Sequence, residues 1–246
     1  MINNNMEETK PGRLLPLKGL YNLRDLGGYP LKGGRQVKWG LLYRGGDFDG
    51  LSPEDRELLE KRNIKTIVDF RDKEEQTLAP DGAIGTVTSI RWLPIDAGSI
   101  LDMTRISTNS EGEAVMEKLY RILAEYARSQ YGEFFALLSN SANPPLLFHC
   151  SAGKDRTGLA AALVLSALGA GRETIIADYL LSEECLKGKY QTWIASNPGQ
   201  EPLMSVRRSY LEAAFDTIDR IYGGMDRYLR DELGADPELL REMYTE

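Results

Sequence analysis

The most reactive side chains in this sequence fall within one stretch, His149 to Gly158, which reads HCSAGKDRTG. Cys150 is a latent nucleophile. A thiol attacks slowly until ionised, and a helix N-terminus with a nearby cation can bring a thiol pKa from about 8.5 to about 3.5–7.5. Arg156 is permanently charged, and its planar fork can hold two phosphoryl oxygens through paired hydrogen bonds. A thiolate that attacked phosphorus would leave a phosphocysteine for water to cleave. The flanking residues say what positions this pair. Pro144 to Phe148 is too short for a helix and apolar at consecutive positions, which suits a strand buried on both faces of a mostly parallel sheet. Arg156 to Gly169 is apolar nearly all round, as in a helix sunk in a core. A strand–loop–helix junction of this kind turns successive N–H groups inward and adds the positive end of a helix dipole. It predicts an anion cradle with Cys150 at its base and Ser151, Ala152, Gly153, Lys154, Asp155 and Arg156 around the phosphate.

Other readings of the stretch account for less of it. A nucleotide-binding loop around Gly153-Lys154 would need glycine and Ser/Thr where Phe148 and Asp155 stand. A rhodanese-like sulfur transferase seats a cysteine in an anion loop but has no need of Arg156. An inert buried thiol is the usual fate of a free cysteine, yet it leaves His149, Gly153, Arg156 and Gly158 unexplained.

The loop resembles the C-x5-R signature of the cysteine-dependent protein-tyrosine phosphatase superfamily. It is most similar to a bacterial branch spelling it HCxAGKDRTG, whose members act on phosphotyrosine, phosphoserine or phosphothreonine, and phosphoinositides. Asn22 to Tyr29 (NLRDLGGY), Tyr43-Arg44 and Asp69-Phe70-Arg71 are similar to further segments of that branch. So are YLxxA and TIDxxYG…YLRD near the C-terminus, and the resemblance runs from about Leu20 onward. It implies an α/β fold: a single domain over residues 13–246, with a mostly parallel central sheet flanked by helices and extra C-terminal helices. The implied function is metal-independent phosphomonoester hydrolysis, with Cys150 as nucleophile, Arg156 as phosphate clamp, and no cofactor. Substrates would be phosphorylated protein or phosphoinositide. Relatives carry their general acid on a loop after a strand, often as P-x-D. Pro94-Ile95-Asp96 lies 54 residues before Cys150 and makes Asp96 the candidate. Asp155 is a second candidate, at a position also acidic in the myotubularin lipid phosphatases, but its cationic neighbours favour the ionised form. Lys154 reads as a flexible ammonium at the rim, suited to a second phosphate on an inositol ring. A catalytically silent phosphate-binding module is the alternative. Such modules usually lose the nucleophile, the arginine or the acid, and all three are present here.

Composition bounds the rest. The 246 residues are 42% hydrophobic and 27% charged, ordinary for a globular protein. A net charge of −7 gives no basic face for nucleic acid, and attraction for an anionic substrate must be local. Two cysteines and one histidine suggest neither a disulfide framework nor a zinc site, and a working thiolate suits a reducing compartment. No apolar run approaches 18 residues, so no stable membrane anchor is expected, and the reading is cytoplasmic, with export lacking a signal peptide left open. His149 sits beside Cys150 on a strand, so the two point to opposite faces, which makes His149 a support behind the loop.

Along the chain, residues 1–12 read as a disordered tail, and Leu20–Gly45 as short strands around the Lys32-Gly33-Gly34 turn. Arg24 and Asp25 are expected to pair with each other or with backbone, the alternative being that Arg24 or Arg44 borders the pocket, and Arg71 is expected to be structural. Ser52-Pro53-Glu54-Asp55 is a helix start, running to Arg62. Strands are predicted at 64–70 and 87–95, and a polar, mobile stretch at 97–110. Helices are predicted at 113–127, 132–139, 173–181, 206–222, 225–233 and 237–244. Residues 182–204 read as a helical excursion, or as a lid like that of some relatives.

Overall fold

The computed structural model describes residues 12–15, 17–97 and 106–246. Most of the expected tail and the centre of the expected mobile stretch lie outside the described residues. A five-stranded sheet runs through the molecule in the order β1-β2-β5-β3-β4. These strands are Arg24–Asp25 (β1), Leu42–Gly45 (β2), Thr66–Asp69 (β3), Ser89–Trp92 (β4) and Leu146–His149 (β5). All neighbours are parallel except β1 and β2, which run antiparallel. The predicted mostly parallel α/β architecture is therefore present, with β5 at its centre.

Period-2 alternation sorts the strand residues between two cores. Leu42, Val68, Leu146 and Phe148 face a large cluster, while Tyr43, Ile67 and Leu147 face a smaller one. Helix α1 (Pro53–Glu60) covers the smaller side through Leu59. Its start is as predicted: Ser52 accepts a hydrogen bond from the Asp55 N–H at 3.1 Å, a cap worth about 1 kcal/mol. The short α2 (Lys73–Leu78), which the sequence reading missed, follows β3 behind a capping box between Asp72 and Glu75.

The larger side is helical. It carries α3 (Asn109–Tyr126), α4 (Arg128–Leu138), α5 (Arg156–Leu168), α6 (Arg172–Cys185), α9 (Arg208–Tyr222) and α11 (Pro237–Tyr244). Between α6 and α9 lie α7 (Gln191–Ser196), a 3-10 turn at Pro198–Gln200, and α8 (Glu201–Met204). Helix α3 begins earlier than expected because Thr108 and Glu111 form a capping box ahead of its apolar stripe. Helix α4 begins directly after Ala127, with no loop between it and α3. The predicted 225–233 helix is broken into α10 (Met225–Arg227) and a π-turn at Tyr228–Glu232. The extra C-terminal helices pack on α3 and α5, burying Phe215, Ile218, Leu229 and Leu240.

Candidate active site

Gly45, His149 and Asp69 lie side by side at the C-terminal ends of β2, β5 and β3. Ligands of open parallel sheets bind outside such ends. The chain leaving β5 places Cys150 at the start of the loop with 2% of its surface exposed. The loop then turns sharply at Gly153, where φ is +68° and an added Cβ would lie 2.3 Å from the Gly45 carbonyl oxygen. Only glycine fits there. Helix α5 begins at Arg156.

What gives the loop its character is the fate of its backbone groups. The Ser151 carbonyl accepts from the Asp47 N–H at 3.2 Å. The Ala152 carbonyl accepts from Asn22 Nδ2 at 3.1 Å, and the Gly153 carbonyl from Arg44 Nη2 at 2.7 Å. Three successive carbonyls are thus held from outside. Among the described residues, the N–H groups of Ser151 to Arg156 donate to no protein oxygen. A run of unengaged N–H groups at a helix start forms an anion-binding nest.

Behind the loop lies a network whose charged members are all buried. Arg24 Nε donates to Asp178 Oδ1 at 2.9 Å, and Arg44 Nη1 donates to Asp178 Oδ2 at 2.6 Å. Tyr29 donates its hydroxyl to the same carboxylate, and Arg24 also reaches the Asp178 carbonyl and Ser182 Oγ. Burial alone would raise the Asp178 pKa, but two guanidinium groups hold it well below the usual carboxylate range. Of the two expected arrangements, Arg24 and Asp25 do not pair with each other, and the backbone alternative holds for Asp25. Asp25 instead accepts the N–H groups of Gly27 and Gly40, while Arg24 crosses to α6. Arg44 does not line the open face of the cradle; it holds the cradle from the rear.

The front of the site carries a different pair. Arg156 Nη1 and Nη2 each donate at 2.6 Å to one oxygen of Glu75. Arg156 Nη1 also reaches the carbonyls of Phe70 at 3.3 Å and Ile95 at 3.2 Å. Ser151 Oγ donates to Glu75 Oε1 at 2.5 Å. Burial pushes the Glu75 carboxyl up, but these donors outweigh it and hold its pKa at about 2. Sequence reading missed Glu75. Its signal was the Asp72…Glu75 spacing of a capping box, which places the carboxylate at the start of α2 beside the site. Asp96 is exposed and immediately follows Ile95, whose carbonyl Arg156 holds. The chain after Ala97 leaves the described residues.

Lys154 departs from the sequence reading. It is 4% exposed, and its Nζ pairs with Asp155 at 2.8 Å, so it is not a free rim ammonium. Asp155 also accepts the Tyr120 hydroxyl at 2.9 Å, and that hydroxyl lies 2.7 Å from the hydroxyl of Tyr179. Both phenols are fully buried, which raises them far above their ordinary pKa. Asp155 thus faces two donors, the environment of an acceptor. Gly158 lets the Tyr179 ring approach, since an added Cβ would lie 3.2 Å from it. Tyr190, half-buried, brings the 182–204 segment close to the site: burial, with the charge of Asp155, raises its phenol.

His149 lies behind the loop, its ring 4.7 Å from that of Phe48 and its Nε2 3.4 Å from Asp81. Burial lowers its pKa. Asp69, Asp81 and His149 are close enough to suggest a metal site. Arg71 already lies there, at 3.0 Å from Asp69 and 2.5 Å from Asp81, and supplies the positive charge. The cluster is a structural ion pair, with Arg71 in the supporting position expected of it.

The chain belongs to the tyrosine phosphatase family, whose sequence profile matches residues 15–246. A provisionally named tyrosine-protein phosphatase of Cupriavidus necator is 37% identical over 91% of this chain and 85% of its own. The triple specificity protein phosphatase PtpB of Mycobacterium tuberculosis is 27% identical over 87% of this chain and 92% of its own. A solved catalytic core of the PP-IP phosphatase SIW14 from S. cerevisiae covers 76% of this chain and 96% of its own at 15% identity, with a TM-score of 0.36. The protein is an enzyme, a phosphatase of the protein-tyrosine-phosphatase kind.

Proposed function

We propose that the enzyme hydrolyses phosphomonoesters through a phosphocysteine, without a metal ion. The observation that carries this reading is the backbone of residues 151–156: carbonyls held outward, N–H groups unengaged, and Cys150 at the base. Cys150 Sγ attacks phosphorus while Arg156 and the loop N–H groups hold the three non-bridging oxygens. The P–O bond to the leaving group breaks, and Asp96 gives that oxygen its proton. Water then attacks the phosphocysteine, losing a proton to Asp96, and releases inorganic phosphate and the thiolate. Glu75 must yield at least part of its hold on Arg156 when the phosphoryl group arrives.

Phosphotyrosine is the proposed main substrate, with phosphoserine or phosphothreonine and phosphoinositides as further ones. The printed name of the Mycobacterium tuberculosis relative supports that breadth. The pairing of Lys154 with Asp155 removes the rim-ammonium argument for inositides, so breadth rests on the relatives alone. In excess EDTA the wild type is expected to turn over p-nitrophenyl phosphate and to be inhibited by orthovanadate. Cys150→Ser should lose turnover and still bind vanadate, because the cradle is mostly backbone. EDTA-sensitive activity restored by Mg²⁺, or turnover surviving Cys150→Ser, would overturn the mechanism. Ranking phosphotyrosine, phosphoserine and phosphoinositide substrates by kcat/KM tests the breadth.

A further inference from the structure

A sizeable cavity lies away from Cys150. It lies at the other end of α5, beside Leu168 and Gly169, with a volume of about 710 Å³. That is within the roughly 300–1,000 Å³ of small-molecule sites. A helix of α5's length puts the two ends about 20 Å apart at 1.5 Å per residue. The apolar wall is formed by Leu168, Ile175, Phe215 and Leu229, all buried. Lys32, Arg35, Arg172 and Arg241 line the same space.

Three of those cations, Lys32, Arg172 and Arg241, are poorly satisfied by the protein. Lys32 makes no ion pair or side-chain hydrogen bond among the described residues. Arg172 lies 3.8 Å from Asp216 and 3.9 Å from Asp219, too far for good hydrogen bonds, with its guanidinium over the Phe215 ring. Arg241 has only Glu238, at 3.9 Å. Arg35 donates to the carbonyls of Thr245 and Arg241. Two acids, Asp219 and Asp226, also line the cavity, leaving the four cations in excess. Asp226 and the neighbouring Glu238 are already engaged by Arg230, at 3.1 and 2.6 Å. The C-terminal dipole end of α5 contributes roughly half a negative charge, which offsets only part of the excess. In a chain of net charge −7, this concentration of cations around an apolar pocket stands out.

We propose that this cavity is a second binding site, for a small organic anion that carries an apolar body. The body lies against Phe215 and Leu229, and the anionic head meets Arg172, Lys32 and Arg241. Charge-assisted hydrogen bonds to the head are the strong ones available. The proposal does not depend on the cysteine mechanism.

The test uses 1-anilinonaphthalene-8-sulfonate as the probe and N-phenyl-1-naphthylamine, the same body without the sulfonate, as the neutral control. Fluorescence titration of the full chain, saturated with orthovanadate, is expected to show one sulfonate site. The neutral control should bind at least about tenfold more weakly, a difference of about 1.4 kcal/mol. The double variant Lys32→Glu/Arg172→Glu changes two exposed side chains. It should keep wild-type p-nitrophenyl phosphate turnover while weakening the sulfonate by about tenfold or more. Met225→Trp, which narrows the cavity without touching its charges, should weaken both probes together. Displacement of the sulfonate by vanadate would move the site to Cys150 and overturn the proposal. So would equal affinity for the two probes, or binding unchanged in both variants.

Discussion

Two carboxylate–guanidinium systems grip the loop of residues 150–156 from opposite sides, and they differ in what they can release. At the rear, Asp178 is 1% exposed and bridges Arg24 and Arg44, neither of which has another ion-pair partner among the described residues. At the front, Glu75 is 28% exposed on a helix of six residues and, among the described residues, pairs with one guanidinium, that of Arg156. Arg156 is already largely dry, so exchanging a carboxylate for a phosphoryl group leaves its burial almost unchanged. Losing the rear pair would instead strand two charges in the interior. Similar pair chemistry thus makes a fixed anchor in one place and, on the proposed mechanism, an exchangeable seat in the other. Burial and the number of guanidinium groups decide which.

The largest effect should come at the open side. Asp96→Asn is expected to lower kcat by about 10²–10⁴-fold, the usual worth of general acid catalysis. The loss should be greatest for alkyl phosphates and least for p-nitrophenyl phosphate, whose leaving group hardly needs a proton. Asp155→Asn should cost a similar factor for every leaving group, because it loosens the Lys154 and Tyr120 contacts. Leaving-group dependence that follows Asp155 would reverse the assignment. At the rear, Asp178→Ala should lower unfolding free energy by about 3–5 kcal/mol, the cost of breaking a buried pair on one side. Urea titration measures it, and a smaller loss than that of Glu75→Ala would erase the contrast between the two regions.

Glu75→Gln keeps an acceptor for the capping box but removes the charge. Relief of competition at Arg156 should tighten inhibition by inorganic phosphate by up to about tenfold. Weaker phosphate binding would show instead that Glu75 orients Arg156 for the substrate. Acid sensitivity separates the regions again. The Glu75 and Asp178 pKa values are depressed, so their contributions hold above the ordinary carboxylate range and fade only as pH falls towards about 2 or below. His149, whose pKa is lowered by burial, behaves differently near neutrality. The unfolded chain takes up its proton below about pH 6.5, before the folded one does. Stability should therefore fall on acidification from pH 7 to 5.5, by at most about 1.4 kcal/mol per pH unit. His149→Asn should flatten that slope.

Much of the centre was legible from local pattern. The β5–loop–α5 junction, the Ser52 cap and the strand around Ile67 follow from runs of residue types that act on their immediate neighbours. The partners of Arg24 and Arg44 were not legible, because Asp178 lies 154 and 134 residues away and reads as one more acid on a helix. Glu75 was hidden in a short polar helix with no apolar stripe to announce it. Lys154 misled because the sequence gives its charge but not its burial, which depends on Asp155, Tyr120 and Tyr179 meeting in space.

The three carbonyl contacts of the cradle imply something about when the enzyme first becomes active. Ala152 is held from 130 residues away by Asn22, and Gly153 from 109 residues away by Arg44. Arg44 in turn depends on Asp178, in a helix that follows the cradle in the sequence. During synthesis Cys150 and Arg156, the proposed nucleophile and clamp, and the whole ten-residue motif would leave the ribosome before the helix that steadies them. Catalysis should therefore switch on late and in one step, after α6 has docked. Turnover of a chromogenic phosphate by nascent chains of increasing length would make that moment visible.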